Sequence, residues 1–413
     1  MTGMGPTSRL PGLVVQDHEF ELPLRHCEPD GRRITVFARE VAATDGGDRP
    51  LLVYLQGGPG IEAPRPTTAP WSPAWLERAL AEYRVLLLDQ RGTGRSTPVG
   101  DPKEMGSQEV ADYLRCFRAD SIVCDAELIR EALGVDRWSL LGQSFGGFCA
   151  LHYMSASPEH LAEVYFTGGL PPIGVPPDDV YRATYRRTLD KNRAYYERYP
   201  SDRGAVLKLH ELVTDHEIVL PGGDRLTSRM LRQLGWMLGM SDGAEHLHYI
   251  LELPDDSPAF RHDVEHGLPP FARNPLYAAV HESSYADGGS TNWSASRVRP
   301  ADFDERPELF TGEHVFSWMF DDYAALRPFS EPADLLAAHS WPRLYDADRL
   351  SRCEVPAAAA VYANDMYVER TFSEETARMI PSMQVWLTSE YEHNGLRVDG
   401  GRVLDRLINL ARG

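Results

Sequence analysis

The stretch WSLLGQSFGGFCA, residues 138–150, decides how the rest of the sequence is interpreted. Its centre, Gly142-Gln143-Ser144-Phe145-Gly146, has the pattern G-x-S-x-G, with an apolar run of strand length before it and a helix-forming segment after it. A tight strand-to-helix turn of this kind strains the serine, and small residues two places away leave room for the chain to pass. We therefore predict that Ser144 exposes a nucleophilic hydroxyl at the carboxyl edge of a sheet, the alternative being an inert serine in a glycine-rich turn.

Strands and helices alternate on both sides of this turn, which predicts an α/β fold. The predicted strands cover residues 13–15, 34–38, 51–55, 83–88, 138–141 and 162–167. The predicted helices cover residues 76–83, 110–133 and 148–154. Most of these strands are continuous apolar runs rather than alternating ones, which is typical of a mostly parallel sheet covered by helices on both faces.

The pattern changes at GGLPP, residues 168–172, where glycines and prolines indicate a boundary. The following segment has mainly helical spacing and many tyrosines, histidines and acidic residues. Strand patterns return late in the chain, at 355–362 and 383–387, before a closing helix at 402–411. We predict a core made of residues 1–170 and 341–413, interrupted by a mainly helical cap of residues 171–340.

A serine hydroxyl needs an adjacent base, and on this topology the acid and then the histidine follow the serine along the chain. Of the fourteen histidines, nine lie in the predicted cap and four lie near the N-terminus or close to the G-x-S-x-G turn. The remaining one, His393, lies in the turn-like segment YEHNG (391–395), directly before the last helix. We predict His393 as the base, against the alternative of an ordinary surface histidine.

The acid is expected at the carboxyl end of the strand that precedes this histidine. Asp365 follows the strand predicted at 355–362, and from there it would fix the tautomer of His393 and stabilise its protonated form. Asp346 and Asp348 are reserve candidates, because they precede that strand instead of ending it.

A glycine-rich loop, QGGPG (56–60), follows the strand at 51–55, and glycines there let backbone N–H groups approach a developing oxyanion. Alone, such a loop is common. Together with LLLDQRGTGRSTP (86–98), GQSFGGFCAL (142–151) and YEHNGLR (391–397), however, it makes the chain resemble the proline iminopeptidase (prolyl aminopeptidase) family. These are serine peptidases of the α/β-hydrolase fold, and the chain is most similar to the longer members with a larger cap.

The resemblance implies that Ser144 is the nucleophile, Asp365 the acid and His393 the base. It also implies that the N–H groups of Gly58 and Phe145 form the oxyanion hole. The expected reaction releases an N-terminal proline through a prolyl ester on Ser144. The expected partners are small peptides with a free N-terminal proline, and no cofactor or metal is expected.

In this family, carboxylates of the cap hold the ammonium group of the substrate. The segment HESSY (281–285) makes Glu282 the first candidate, and Glu245 and Glu313 are weaker ones that could equally be solvated helix charges. The chain departs from the shorter members at Gln56, where they have histidine, and at Phe145, where they have tryptophan. Neither change removes a backbone donor, but both leave the shape of the acyl pocket and the strictness for proline open.

Composition excludes several other classes of protein. The 42 basic and 61 acidic residues give a net charge of -19, which argues against a partner that is a nucleic acid. Five scattered cysteines without C-x-x-C spacing favour a reduced, cytoplasmic protein. The first twenty residues lack the apolar region of a secretory signal, and no apolar run is long enough to span a membrane. The oligomeric state stays open.

Three alternatives compete with this interpretation. Another hydrolase of the same fold, such as an esterase or an amidase, would have the same nucleophile and base. A non-catalytic binding protein on this scaffold would have no need for all three of Ser144, Asp365 and His393. The segment HDVEH (262–266) has the H-x-x-E-H spacing of a zinc site, but GLPP (267–270) ends any helix there and no third ligand is evident, so a solvated cap helix is the simpler interpretation.

Overall fold

In the computed structural model, which describes residues 2–413, the turn at Ser144 lies at the edge of a nine-stranded sheet. The strands are β1 Thr2–Leu10, β2 Leu13–Pro23, β3 Arg33–Ala43, β4 Leu51–Leu55, β5 Thr67–Thr68, β6 Trp71–Ser72, β7 Arg84–Leu88, β8 Trp138–Gln143, β9 Leu161–Thr167, β10 Ala357–Tyr362 and β11 Met383–Thr388. The large sheet has the order β1-β2-β3-β7-β4-β8-β9-β10-β11, while β5 and β6 form a separate pair.

The first three strands of this order run antiparallel to their neighbours, and the six from β7 to β11 run parallel. The prediction of a mostly parallel sheet is therefore confirmed. Since the carboxyl ends of parallel strands meet at one edge, the loops after β4, β8, β10 and β11 come together there. All the residues predicted for the core half of the active site follow one of these four strands.

Helices cover both faces of the sheet and fill the insertion between β9 and β10. The α-helices are α1 Leu76–Leu80, α2 Ser107–Leu114, α3 Ala119–Ala132, α4 Phe145–Ala156, α5 Pro177–Arg198, α6 Asp202–Asp215, α7 Ser228–Gln233, α8 Gly243–Glu252, α9 Pro258–Gly267, α10 Pro275–Val280, α11 Ser294–Arg297, α12 Asp302–Glu305, α13 Met319–Asp322, α14 Ser330–Ala338, α15 Ala347–Leu350, α16 Arg370–Met379, α17 Gly395–Val398 and α18 Gly400–Arg412. Short 3₁₀ turns cover Arg115–Phe117, Pro158–His160, Leu234–Gly239, Glu282–Tyr285 and Arg327–Phe329.

Successive side chains of each central strand pack on opposite faces of the sheet, and each face has its own apolar core. In β8, Leu140 packs into the core shared with α3, α4 and the insertion, whereas Leu141 packs into the smaller core shared with α1 and α18. Both leucines are fully buried. This explains why the strand sequence is continuously apolar instead of alternating.

The helical insertion begins after β9 and returns at β10, and these two strands are hydrogen-bonded neighbours. Because β9 and β10 run parallel, the insertion leaves the sheet at the carboxyl end of β9 and re-enters it at the amino end of the adjacent β10. Its buried side chains belong to the same apolar cluster as one face of the sheet. The exact division at residues 170 and 340 stays a prediction, and we propose the insertion as a cap over the active site.

Two features differ from the sequence-based expectations. The helix predicted at 110–133 is broken into α2 and α3, because Arg118 between them is extended and its buried guanidinium donates to the carbonyl groups of Ala286 and Pro342 in the insertion, at 2.9 and 3.0 Å. Strand β1 was not predicted, since its sequence lacks apolar alternation. It forms because β2 offers a long edge for antiparallel pairing.

Candidate active site

The turn between β8 and α4 has the strained geometry predicted for the G-x-S-x-G motif. Ser144 lies between the two elements with φ 53° and ψ −124°, outside the regions that most residues adopt. Its N–H donates to the carbonyl of Thr167 at 3.0 Å, and its own carbonyl accepts from the Gly147 N–H at 2.7 Å. The neighbouring strand β9 and the first turn of α4 together hold this conformation.

The glycines of the motif are required by close backbone contacts. A Cβ atom on Gly146 would lie 1.9 Å from the carbonyl oxygen of Leu55, the last residue of β4. A Cβ atom on Gly142 would lie 2.6 Å from the carbonyl oxygen of Gly146. Only glycine therefore lets the first turn of α4 pack this closely between β4 and β8.

The structure brings the three predicted residues, Ser144, Asp365 and His393, together at the carboxyl edge of the sheet. The distance from the Ser144 Oγ to the His393 Nε2 is 2.9 Å, and that from the His393 Nδ1 to the Asp365 Oδ2 is 2.7 Å. Because an ionised carboxylate only accepts, Nδ1–H donates to Asp365 and Nε2 is left to accept the serine proton. This is the arrangement of an activated serine nucleophile.

The acid is itself held by backbone groups. Asp365 is 1% exposed, and its second oxygen, Oδ1, accepts from the N–H groups of Tyr367 at 2.8 Å and Val368 at 3.1 Å. The reserve candidates lie elsewhere: Asp346 caps α15 by accepting from the Arg349 N–H, and Asp348 is exposed in the same helix. Asp365, and neither reserve candidate, is therefore the carboxylate that bonds to His393.

The charge environment of His393 favours its protonated form. Burial by itself would lower the pKa of this histidine, but the adjacent Asp365 carboxylate outweighs burial, and the charges of Glu313 and Glu392 add to it. The pKa of His393 consequently lies above its ordinary value. Such an imidazole is a stronger base than a free one and holds the proton of the serine more firmly during the reaction.

The glycine-rich loop after β4 lies directly against the serine. A Cβ atom on Gly57 would come within 2.9 Å of the Ser144 Cβ, and Gly58 has φ 132°, which favours glycine. Neither the Gly58 N–H nor the Phe145 N–H has an acceptor among residues 2–413. Both predicted oxyanion donors thus remain available beside the nucleophile.

The segment DQRGTGRS (89–96), whose role the sequence did not reveal, makes hydrogen bonds to the chain just after this loop. The Asp89 carboxylate is fully buried, where it accepts from the Ala63 N–H at 3.2 Å and forms a bidentate pair with Arg65 at 2.8 and 2.6 Å. Its Oδ2 also accepts from the Arg95 N–H at 2.9 Å. The motif therefore fixes the chain that leaves the oxyanion loop.

Aromatic side chains of the insertion and of the segment after β10 surround the reacting groups. The ring of Tyr367 meets His393 edge-on, with 4.8 Å between ring centres. Tyr285 donates its hydroxyl to the Tyr367 carbonyl at 3.1 Å, and its ring packs edge-on against Phe148 at 5.3 Å and Tyr181 at 5.8 Å. These contacts form an apolar, aromatic surface next to the triad.

Of the three cap carboxylates singled out in the sequence, Glu313 lies within electrostatic reach of His393. It accepts from the Tyr277 hydroxyl, and one of its oxygens is 3.8 Å from the His281 Nε2. Burial alone would raise the pKa of Glu313, but His281 outweighs it, with help from His393 and Tyr277, so the pKa lies below its usual value. Glu313 is therefore a half-buried carboxylate near the triad, and its lowered pKa favours the ionised form.

The other two carboxylates have structural partners. Glu282 is 6% exposed, and its oxygens accept from the N–H groups of Ser294 at 3.2 Å and Ala295 at 2.9 Å, at the start of α11. Burial raises the pKa of Glu282 in spite of these bonds. Glu245 forms an ion pair with the exposed Arg198 at 2.6 Å, on the outside of the insertion.

Two buried histidines near Glu313 were missed as site residues. His281 contacts Glu313, as described, and the Nδ1 of His314 accepts from the Gly312 N–H at 3.2 Å. Burial, together with the charge of His281, lowers the pKa of His314 to about 3, so this ring stays neutral. Their signal in the sequence is their position directly beside Glu282 and Glu313.

The H-x-x-E-H segment forms helix α9, with His262 and His266 stacked on its exposed side at 4.4 Å between ring centres. Across the described residues, 2–413, no group of three or more suitable side chains is placed to hold a metal ion. In the same range, no helix combines the length and the apolar character needed to cross a membrane.

Comparison with known proteins identifies the family of the chain. The family model described as alpha/beta hydrolase fold matches residues 50–267. A proline iminopeptidase of Aeromonas sobria is 48% identical over 423 aligned residues, which cover 98% of each chain. The chain belongs to the proline iminopeptidase family.

A more distant family member, the proline iminopeptidase aneH of Aspergillus aculeatus, is 35% identical over 96% of this chain and 93% of its own. Among solved structures, a proline iminopeptidase of Mycobacterium smegmatis matches with a TM-score of 0.45 and 15% identity, over 94% of this chain and 98% of that one. The family assignment rests on the first two relatives, and it confirms both the resemblance drawn from the sequence and the α/β-hydrolase fold.

Proposed function

We propose that this chain is a serine aminopeptidase that releases N-terminal proline from peptides. The observation that carries the proposal is the hydrogen-bonded series Ser144–His393–Asp365 at a strained strand-to-helix turn, in a member of the proline iminopeptidase family. Both of the curated relatives described above are named proline iminopeptidase, and the chain aligns with nearly their whole length.

The reaction proposed is acyl transfer. His393 takes the proton of Ser144 as the serine oxygen attacks the carbonyl carbon of the N-terminal prolyl residue. His393 then gives this proton to the departing amine, leaving a prolyl ester on Ser144. A water molecule that His393 activates hydrolyses the ester and releases proline. Asp365 holds the imidazole in the required tautomer throughout and stays ionised.

The N–H groups of Gly58 and Phe145 are the proposed donors to the tetrahedral oxyanion. Both are free of other acceptors among residues 2–413, and both belong to backbone that close contacts hold in place. Donors that are already oriented need no reorganisation when charge develops, and one such donor contributes about 3 kcal/mol to the transition state in comparable enzymes.

We propose Glu313 as the carboxylate that receives the substrate ammonium. It is half-buried, its lowered pKa favours the ionised form, and it lies within electrostatic reach of His393. A single free amino terminus bound there would place the first peptide bond, and no later one, at Ser144. Glu282, whose oxygens already accept two backbone N–H groups, would instead hold the wall of the site in shape.

The site is enclosed in a manner that suits removal of one terminal residue. A Cβ atom on Gly60 of the oxyanion loop would lie 2.6 Å from the backbone nitrogen of Tyr277, so helix α10 packs directly on that loop. Ser144 itself is half-buried. A folded protein or the middle of a peptide would not reach it, which is why small peptides are the proposed substrates.

The first experiment compares hydrolysis of prolyl p-nitroanilide, alanyl p-nitroanilide and p-nitrophenyl acetate, with Ser144→Ala as the control. We expect a strong preference for the prolyl anilide, lost in Ser144→Ala. Turnover of the ester without the anilides would move the protein to the esterases. No turnover of any of the three would favour a binding scaffold.

A second experiment tests the ammonium site with Glu313→Gln and, as matched control, Glu245→Gln on the outer surface of the cap. Glu313→Gln is expected to lower kcat/KM for the prolyl anilide by about 100-fold, since it removes the anionic partner of the substrate ammonium from a largely enclosed site. It should change turnover of the neutral acetate ester little. Equal losses on both substrates would contradict the recognition role, and so would a loss in Glu245→Gln of the same size.

The five cysteines are free thiols in the structure, namely Cys27, Cys116, Cys124, Cys149 and Cys353. Unpaired thiols are usual in a reducing compartment, and they support the proposal that the protein works in the cytoplasm. Cell fractionation with an antibody to the protein would test this location.

A further inference from the structure

The backbone around His393 is held by the cap. The N–H of His393 donates to the carbonyl of Gly239 at 3.0 Å, and the N–H of Glu392 donates to the Ser241 Oγ at 3.2 Å. Gly239 ends a 3₁₀ turn of the cap, and Ser241 lies between that turn and helix α8. The backbone N–H groups of Glu392 and of the base, His393, therefore both donate to the cap and not to the sheet.

The side chain that follows the base is held by the same segment. The Oδ1 of Asn394 accepts from both the N–H and the hydroxyl of Ser241, each at 2.9 Å. The single hydroxyl of Ser241 thus donates to Asn394 and accepts from Glu392 at once. This bridges the residues on either side of His393.

Ion pairs reinforce this arrangement on two sides. Lys191 of helix α5 lies 2.5 Å from the Oε1 of Glu392, and the lysine side chain is only 15% exposed. Arg397, just after the loop, pairs with Asp242 at 2.7 Å. Because a partly buried pair is screened little by solvent, the Lys191–Glu392 pair restrains the loop more than a surface pair would.

The core supplies fewer restraints to these residues. The His393 ring bonds to Asp365, and the Asn394 carbonyl accepts from the N–H groups of Arg397 and Val398. These bonds fix one ring nitrogen and the start of α17, but not the backbone at 392 and 393. A shift of the cap segment would thus carry the imidazole with it.

We propose that the cap, through Ser241 and Lys191, positions the base His393 against Ser144. The inference rests on the proposed role of His393 and adds two positioning residues from outside the core. The cap then has a second role besides covering the substrate, because its contacts hold the backbone of His393 in the position from which the imidazole reaches Ser144. A displacement of about 1 Å in such a group lowers the rate by about 100-fold, so even a modest loosening is measurable.

The test uses Ser241→Ala and Lys191→Met, each with a matched control. Ser228→Ala is the control for the serine, since Ser228 lies on an exposed part of the cap and contacts Thr214. Lys208→Met is the control for the lysine, since Lys208 makes a comparable but exposed pair with Asp255 at 3.0 Å. Lys191→Arg tests rescue, because arginine can restore the pair with Glu392.

Four quantities are measured for each variant: kcat and KM for the prolyl anilide, the rate of inactivation by phenylmethanesulfonyl fluoride, and the midpoint of thermal unfolding. The sulfonyl fluoride reports the nucleophilicity of Ser144 without any need for prolyl recognition. We expect both test variants to lose about tenfold or more in kcat and in inactivation rate, with KM and the unfolding midpoint little changed. The two controls should match the wild type, and Lys191→Arg should recover most of the loss.

Wild-type inactivation rates in both Ser241→Ala and Lys191→Met would overturn the inference. A loss of kcat in Lys191→Met that Lys191→Arg does not recover would also overturn it. So would a Lys191→Met variant whose unfolding midpoint falls while its kcat and inactivation rate stay at the wild-type values. The wild type could fail to cleave the prolyl anilide while Ser144 is still sulfonylated more slowly in Ser241→Ala and Lys191→Met than in the wild type. In that case the proposed substrate is wrong and the positioning role stands. A double variant, Lys191→Met with Glu392→Gln, should be no slower than Lys191→Met alone, because the lysine acts through that glutamate.

Discussion

The side-chain amide of Gln90 donates to the backbone carbonyl of Gln56 at 3.0 Å. Gln90 is 1% exposed and lies in the DQRGTGRS segment after β7, whereas Gln56 directly precedes the two glycines of the oxyanion loop. Strands β7 and β4 are neighbours, so the bond joins their carboxyl ends. It fixes the point at which the loop leaves the sheet, one residue before it contacts Ser144.

Gln90→Leu is therefore expected to lower kcat for the prolyl anilide by about tenfold, with a smaller change in KM. Removing one oxyanion donor costs about 100-fold or more, and loosening the loop should cost part of that. Gln108→Leu, at an exposed position of α2, is the control and should behave like the wild type. An unchanged kcat in Gln90→Leu would show that the loop keeps its shape without this bond.

Asp365→Asn should lower kcat by about 1,000-fold or more while KM changes little. An asparagine in this place can present its amide to Nδ1, which stabilises the wrong tautomer of His393 and leaves no acceptor for the serine proton. Asp348→Asn, at one of the reserve positions, is the control, and steady-state kinetics with the prolyl anilide measures both. A large loss in the control would reverse the assignment of the acid.

The acid side of the pH–rate profile should reflect protonation of His393. Because the pKa of His393 is raised, kcat/KM is expected to fall on acidification at a higher pH than an ordinary histidine would give. Glu392 contributes to this rise, so Glu392→Gln should move the acid limb toward lower pH. Glu390→Gln, whose carboxylate pairs with the exposed Arg402, should leave the limb in place. A shift in the opposite direction would contradict the electrostatic account.

Gly146→Ala is expected to prevent a correctly formed turn at Ser144. The added methyl group would meet the Leu55 carbonyl at 1.9 Å, which no small movement of the helix relieves. The variant should lose activity and unfold at a lower temperature. Gly204→Ala, in helix α6 with no atom near the added methyl group, should instead be stabilised by about 0.5–1 kcal/mol. Thermal unfolding followed by circular dichroism distinguishes the two.

Features that depend only on neighbouring residues, such as the turn at Ser144 and the strand at 51–55, could be predicted from the sequence. The turn at Ser144 needs glycines two residues on either side, and the chain order of acid and histidine left His393 as the one candidate in the second half of the core. The strand at 51–55 was placed to the residue, because a short apolar run between turn residues has one natural interpretation. The prediction of the fold rests on such features and not on composition.

What the sequence did not reveal depends on contacts between distant parts of the chain. The contacts of Glu313 with Tyr277 and His281 could not be predicted, because those residues are distant from it in the chain and come near it only after folding. Arg118 interrupts a helix-like pattern because of two carbonyl groups more than 160 residues away. The contacts of Ser241 with the His393 loop are of the same kind, and no spacing rule connects them.

The nucleophile and the base are 249 positions apart in the chain, and the whole cap is synthesised between them. A ribosome making this protein therefore exposes Ser144 long before His393 exists. During that interval the growing chain carries a serine without a base, so it has no means of cleaving the peptides around it. The base can act on Ser144 only after the segment that carries Asp365 and His393 has been made and has joined the edge of the sheet.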